Sequence, residues 1–139
     1  MRVLALDLGD KRIGVALSDS TGLIARPLLV FKRTSRVADF VTVARLTAEY
    51  DVARVVVGLP ISMDGSEGRQ AAWVRDYCAA LDETLTIPLF LWDERLTTYS
   101  AVELLREQGK RPDPQWIDAV AAAVILQSYL DAQNVKRAM

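Results

Sequence analysis

Asp7, the adjacent Asp93 and Glu94, and Asp118 stand where the surrounding sequence is strongly apolar or ends a β-type run. Asp7 interrupts RVLALDLG, in which every other residue from Val3 to Leu8 is apolar. A carboxylate inside such a run is costly unless a donor or a cation meets it. Asp118 lies in line with Ala121, Ala122 and Ile125, which share its face on a helix. Asp93 and Glu94 follow PLFLW, and adjacent residues of an extended chain point to opposite faces. One of the two at most aims into a shared site; the longer Glu94 is preferred, and the choice stays open. The other is left to hold Arg95 or to cap the next helix. Histidine is missing and Cys78 is the single cysteine, which excludes Ser-His-Asp and Cys-His catalysis, imidazole-bound zinc and an internal disulfide. Two carboxylates about 5 Å apart repel by roughly 3 kcal/mol at an effective dielectric near 20. Three brought together therefore need protons or cations. Oxygen donors alone favour Mg²⁺ or Mn²⁺, and two such ions could orient water and neutralise the departing oxygen of a phosphodiester.

The elements needed to gather these groups are legible. Residues 2–9 read as a strand apolar on both faces, with Val3 and Ala5 facing one way and Leu4, Leu6 and Leu8 the other. Residues 13–19 and 23–32 continue as two more strands, separated by the turn residues Ser20-Thr21-Gly22. Thr34 or Ser35 caps a helix to about Tyr50, with Val37, Phe40, Val41, Ala44 and Ala48 as its expected stripe. RVVVGLP at 54–60 has the β-branched character of a buried parallel strand. A helix from about Glu67 to Leu81 and a fifth strand at 88–93 follow. Thr97 or Thr98 caps a helix that Gly109 stops, and Asp113-Pro114 opens the last one. With Asp113 as the cap, Asp118 falls beyond the first turn, where the helix dipole helps less. A three-stranded meander followed by βαβ units predicts a mixed α/β sheet with helices on its faces. Asp7 and Asp93–Glu94 then end parallel strands on one rim, and the helix bearing Asp118 approaches it.

With 51% apolar and 25% charged residues over 139 positions, the chain reads as one globular domain, residues 1–139. No apolar run reaches the roughly 18 residues a membrane span needs, and Asp7 breaks what would be a signal segment, so a cytoplasmic protein with no membrane partner is expected. The net charge of −1 lends no general affinity for nucleic acid. Lys11-Arg12, Lys32-Arg33 with Arg36, and Lys110-Arg111 are the candidate local basic groups. Cys78, Trp73, Trp92 and Trp116 are expected in the core.

The segments Asp7 to Ala16 (DLGDKRIGVA), Val57 to Pro60 with Met63 to Gly68, Asp93 to Thr98 (DERLTT), and Asp118 with Ala121, Ala122, Ile125, Leu126, Tyr129 and Leu130 occur in order along nearly the whole chain. This pattern resembles the YqgF family of RNase H-like nucleases, also described as Holliday-junction-resolvase-like. The resemblance implies a five-stranded sheet in the order 3-2-1-4-5 with strand 2 antiparallel. It implies processing of the 5′ end of pre-16S rRNA, with branched DNA as an older proposal for the substrate. Asp7, the Asp93–Glu94 acids and Asp118 match the family's acidic positions, so that Asp7, Glu94 and Asp118 become the expected metal ligands. Lys11 and Arg12 at the hairpin tip, Ser66 in a loop opening a helix, and Arg95 are the expected substrate contacts. Analogy with junction enzymes adds a homodimer. The pattern Asp-x-Gly-x-x-x-x-Gly from Asp7 to Gly14 also occurs in actin-like and sugar-kinase nucleotide-binding domains, whose two-lobed site needs a longer chain. A non-catalytic RNA-binding module is the third reading.

Overall fold

The computed structural model describes residues 1–97 and 116–138. The expected helix to Gly109, the basic pair Lys110-Arg111 and the Asp113-Pro114 cap lie outside the described residues. The elements are β1 (Arg2–Leu8), β2 (Arg12–Ser18), β3 (Ala25–Lys32), α1 (Arg36–Glu49), β4 (Val52–Leu59), α2 (Arg69–Thr84), β5 (Leu89–Asp93), a 3-10 turn (Glu94–Leu96) and a long final helix, α3 (Ile117–Ala138). The sheet order is β3-β2-β1-β4-β5, with β2 antiparallel to both neighbours and β1, β4 and β5 parallel, as expected.

Alternation along the strands divides the core in two. Leu4, Leu6 and Leu8 join Ile13, Val15, Val55 and Val57 beneath α1 and α2. Val3 and Ala5 join Ala16, Val56, Ala122, Ala123 and Leu126 beneath α3. The α3 side is built from small residues, so helix and sheet approach closely there. Between β2 and β3, Asp19 accepts from Thr21 and from the Leu23 and Ile24 amides, contacts that hold its carboxyl below the usual range. Cys78 is buried and its thiol pKa is pushed up to about 12 by desolvation first and the Asp82 charge second, so it packs as an inert hydrophobe.

Two expectations are corrected. Ser35 does cap α1, its side chain accepting from the Ala38 amide at 3.1 Å, but the buried face is Asp39, Phe40, Val43 and Leu46. Val37 and Val41 are exposed at 76% and 62% instead of lining the core. The helix is turned because Asp39 has partners inside: Tyr77 Oη donates to it at 3.0 Å and the Thr34 amide at 3.2 Å. Trp116 is an exposed residue at the start of α3, whereas Trp73 and Trp92 pack partly buried against the two clusters. No helix among the described residues is long and apolar enough to cross a membrane.

Candidate active site

Asp7 continues the Val3–Ala5 alternation and so faces α3, near the end of β1. Its partner across the antiparallel ladder is Gly14 of β2. On its other flank Leu6 pairs with Val57, which brings Gly58 of β4 alongside. Both neighbours thus lack a side chain, and each gap is occupied by something else. A Cβ on Gly14 would lie 1.9 Å from the Asp118 carbonyl oxygen, because the first turn of α3 rests directly on β2. A Cβ on Gly58 would lie 2.6 Å from Ile125 Cδ1 and 3.1 Å from Glu94 Cγ. One glycine admits the helix carrying Asp118; the other admits the Glu94 side chain over the sheet. Asp7 sits between them.

The electrostatics reflect this crowding. Burial first, and the Asp118 charge second, push the Asp7 carboxyl up to about 6. Glu94 is also raised, by burial and then by the charges of Asp7 and Asp93. Among the described residues neither carboxylate accepts a hydrogen bond that would offset the desolvation. Asp118 has a partner: Arg12 Nε lies 3.0 Å from its Oδ2. Because α3 begins at Ile117, Asp118 belongs to the first turn, where the dipole favours a negative charge, and the expectation that it falls further along is corrected.

The Asp93–Glu94 pair splits. Asp93 caps the 3-10 turn by accepting from the Arg95 amide at 2.9 Å, and Arg95 Nη2 and Nε reach it at 2.7 and 3.1 Å. These contacts hold Asp93 below the usual carboxylate range. Arg95 is correspondingly engaged, with its charge also felt by Asp64. Ser66 donates through both its amide and its hydroxyl to Asp64 Oδ1, at 2.9 and 2.6 Å, closing the exposed loop before α2. Lys11 is exposed at the β1–β2 tip beside Arg12. The structure therefore gathers Asp7, Glu94, Asp118 and Arg12, while Asp93, Arg95 and Ser66 are bound up in local contacts. Sequence reasoning missed Gly58 as the opening for Glu94, where the visible signal was only a glycine in a β-branched run.

Among the described residues no three acidic side chains close around a single ion position. An open arrangement of this kind still suits a hard cation. Mg²⁺ commonly takes one or two protein carboxylates and fills the rest of its shell with water and substrate phosphate oxygens. Asp7 and Glu94, crowded and without donors among the described residues, are the oxygens a cation would relieve most. Asp118 could join by exchanging its ion pair with Arg12, which is half-exposed and worth little energetically.

Comparison with known proteins decides the family. The model described as "RuvX: Holliday junction resolvase" matches residues 1–132. The chain belongs to the RuvX family. It is 44% identical over 139 residues to a Thermoanaerobacter pseudethanolicus protein named "Putative pre-16S rRNA nuclease", covering 98% of this chain and 100% of that one. A Caldanaerobacter subterraneus protein of the same name is 47% identical over 139 residues, covering 96% and 99%. In three dimensions this RuvX-family chain resembles Thermus thermophilus RuvC, with a TM-score of 0.64 at 14% identity over 96% of this chain and 97% of that one. At that identity the likeness speaks for a common RNase H-like fold.

The contrast between the two glycines makes a prediction within the site. At Gly58 the atoms nearest an added methyl belong to side chains, Ile125 Cδ1 and Glu94 Cγ and Cδ, which can shift as a main chain cannot. Gly58→Ala should cost about 1 kcal/mol of stability yet lower cleavage by roughly 100-fold through displacement of Glu94. Urea denaturation together with a cleavage assay checks this. A variant with parental activity would mean that Glu94 is not held where the reaction needs it.

Proposed function

We propose that this RuvX-family protein hydrolyses phosphodiester bonds in RNA with Mg²⁺ or Mn²⁺, that Asp7, Glu94 and Asp118 hold the cation, and that the 5′ end of pre-16S rRNA is its substrate. The observation carrying the reading is the pair Asp7 and Glu94, without hydrogen-bond donors among the described residues and both with raised pKa, set in the gaps beside Gly14 and Gly58. The rRNA substrate rests on the names of the relatives. A divalent cation bound there would supply an activated water nucleophile and offset charge on the departing oxygen. Asp7, near the end of β1, and Glu94, just beyond β5, come from parallel strands separated by β4 and would hold the cation that the reacting phosphate meets. Arg12, on the same side, offers a guanidinium fork to a phosphate once it leaves Asp118, and Lys11 adds a point charge beside it. In-line attack leaves a 5′-phosphate and a 3′-hydroxyl. On this reading residues 1–139 work as one domain in the cytoplasm.

The family description favours a second substrate, the four-way DNA junction. Such a junction presents symmetry-related strands, and two copies of the chain would then act together.

The test is cleavage of labelled RNA bearing the 16S precursor 5′ end, linear DNA and a four-way junction, each with Mg²⁺, Mn²⁺ or EDTA. RNA should be cut with either metal and left intact in EDTA. Glu94→Gln should lower the rate by about 100-fold or more, whereas Asp93→Asn should stay within about tenfold because it acts only through Arg95 and the turn. Cleavage that persists in EDTA, or equal loss from both substitutions, would sink this assignment.

A further inference from the structure

The sequence presents Lys32 and Arg33 as one basic pair, but the fold uses them differently. Lys32 is exposed opposite Arg12 in the β2–β3 ladder. Arg33 turns inward against the β1–β2 tip. Its Nη1 donates to the Gly9 carbonyl at 2.9 Å and to the Asp10 carbonyl at 2.8 Å, and its backbone amide donates to the Lys11 carbonyl at 2.9 Å. Its guanidinium lies 4.3 Å from the Trp73 ring centroid on α2, a cation–π contact that fixes the plane of the fork. The turn itself is closed by one backbone bond, from the Gly9 amide to the Arg12 carbonyl at 3.0 Å. Asp10 and Lys11 are exposed, so packing does little to hold it.

Resting on the nuclease reading above, we infer that Arg33 is a positioning residue: it ties the Gly9–Lys11 turn to α2 and thereby sets where Arg12 meets the nucleic-acid backbone. The turn joins the strand carrying Asp7 directly to Arg12, so a shift of its backbone moves Arg12 relative to the carboxylates. The two carbonyl oxygens also carry partial negative charge beside the route an anionic substrate must take, and Arg33 covers them. A lysine could supply the charge. It could not place planar donors on two carbonyls while stacking on an indole.

The experiment measures binding of a labelled single-stranded RNA by fluorescence anisotropy in EDTA across a salt series. The proteins are the parent, Arg33→Gln, Arg12→Gln and the double variant, with Arg33→Lys as the fold-preserving alternative if the Gln variant melts too low to use. Arg33→Gln should weaken binding about five- to tenfold in the parent and less than twofold once Arg12 is already gone, because the clamp acts through Arg12. The salt slope of the double variant should equal that of Arg12→Gln, and Arg33→Lys should restore the melting temperature without restoring affinity. Losses that simply multiply would overturn the inference. So would a double variant whose slope falls about 0.7 below that of Arg12→Gln, the mark of a separate contact from Arg33 to a phosphate of a single strand. A parent that binds no RNA overturns the nuclease reading along with it, whereas a parent that binds with independent losses overturns this inference alone.

Discussion

Asp7→Asn should abolish cleavage, by roughly a thousandfold or more, and at the same time make the folded chain more stable at neutral pH. The stability effect follows from the raised pKa. In the unfolded chain this carboxyl titrates near 3.8, and in the folded one at about 6. Between those values the native state holds more protons than the unfolded one, so stability falls as pH rises through that window and levels off above it. Two pKa units correspond to about 3 kcal/mol; partial solvent access at Asp7 reduces the expected gain to about 2 kcal/mol at pH 7.5. Asparagine cannot ionise, so the parent and variant should converge near pH 4 and separate above pH 6. Urea denaturation at pH 4, 5, 6 and 7.5 in the presence of chelator provides the comparison. Adding Mg²⁺ at pH 7.5 should raise the parent's melting temperature more than the variant's, since the variant keeps Glu94 and Asp118 but lacks the Asp7 charge for the cation to relieve. If Asp7→Asn is destabilising at pH 7.5, the carboxylate is serving the fold and the site assignment fails.

Gly14→Ala should be the most damaging single methyl addition in the sheet. The nearest atoms to the new Cβ are backbone, the Asp118 carbonyl oxygen at 1.9 Å and its carbon at 2.2 Å. No rotamer change can relieve a clash between two main chains, so α3 must lift from β2 or β2 must bend. Overpacking costs about 1–3 kcal/mol where side chains can adjust, and this clash belongs at or above the top of that range. That is a large share of the roughly 5–15 kcal/mol that holds a domain folded. The fraction that stays folded should cleave at least about 100-fold more slowly, because Asp118 travels with the lifted helix. Thermal melts and a rate normalised to folded protein separate the two effects. Parental stability would show that α3 does not seat on Gly14 in solution.

The two variants expose a common arrangement. The site is made by removing side chains on either side of Asp7, so that a helix start and a glutamate can enter where strand neighbours would ordinarily project. The same crowding raises Asp7 and Glu94 and, on the proposed reading, would give a cation its hold. Arg12 complements this by pairing with Asp118 at the more exposed edge, where an ion pair is cheap to exchange.

Local pattern was sufficient for much of this. The alternation around Asp7 assigned its face, the resemblance to the YqgF family implied the strand order with which the β-β-β-α-β-α-β pattern agrees, and the lack of histidine excluded imidazole chemistry before any geometry was known. The division of labour between Asp93 and Glu94 was left open with a preference for Glu94 on reach, because it depends on the 3-10 turn after β5 and on Arg95 folding back. The inward face of α1 was misread for a similar reason: Asp39 is tolerated inside because the Thr34 amide and the hydroxyl of Tyr77, 38 residues later, donate to it. Lys32 and Arg33 look alike in sequence and differ only in what lies beside them.

The amino-acid sequence alone thus determined the sheet, its two apolar faces and which acids were out of place, since periodicity and composition record burial residue by residue. Tertiary structure decided which of those acids meet, which are neutralised locally, and that Gly14 and Gly58 open the space between them. Those outcomes depend on contacts between segments far apart in the chain, and no local pattern encodes the distance between them.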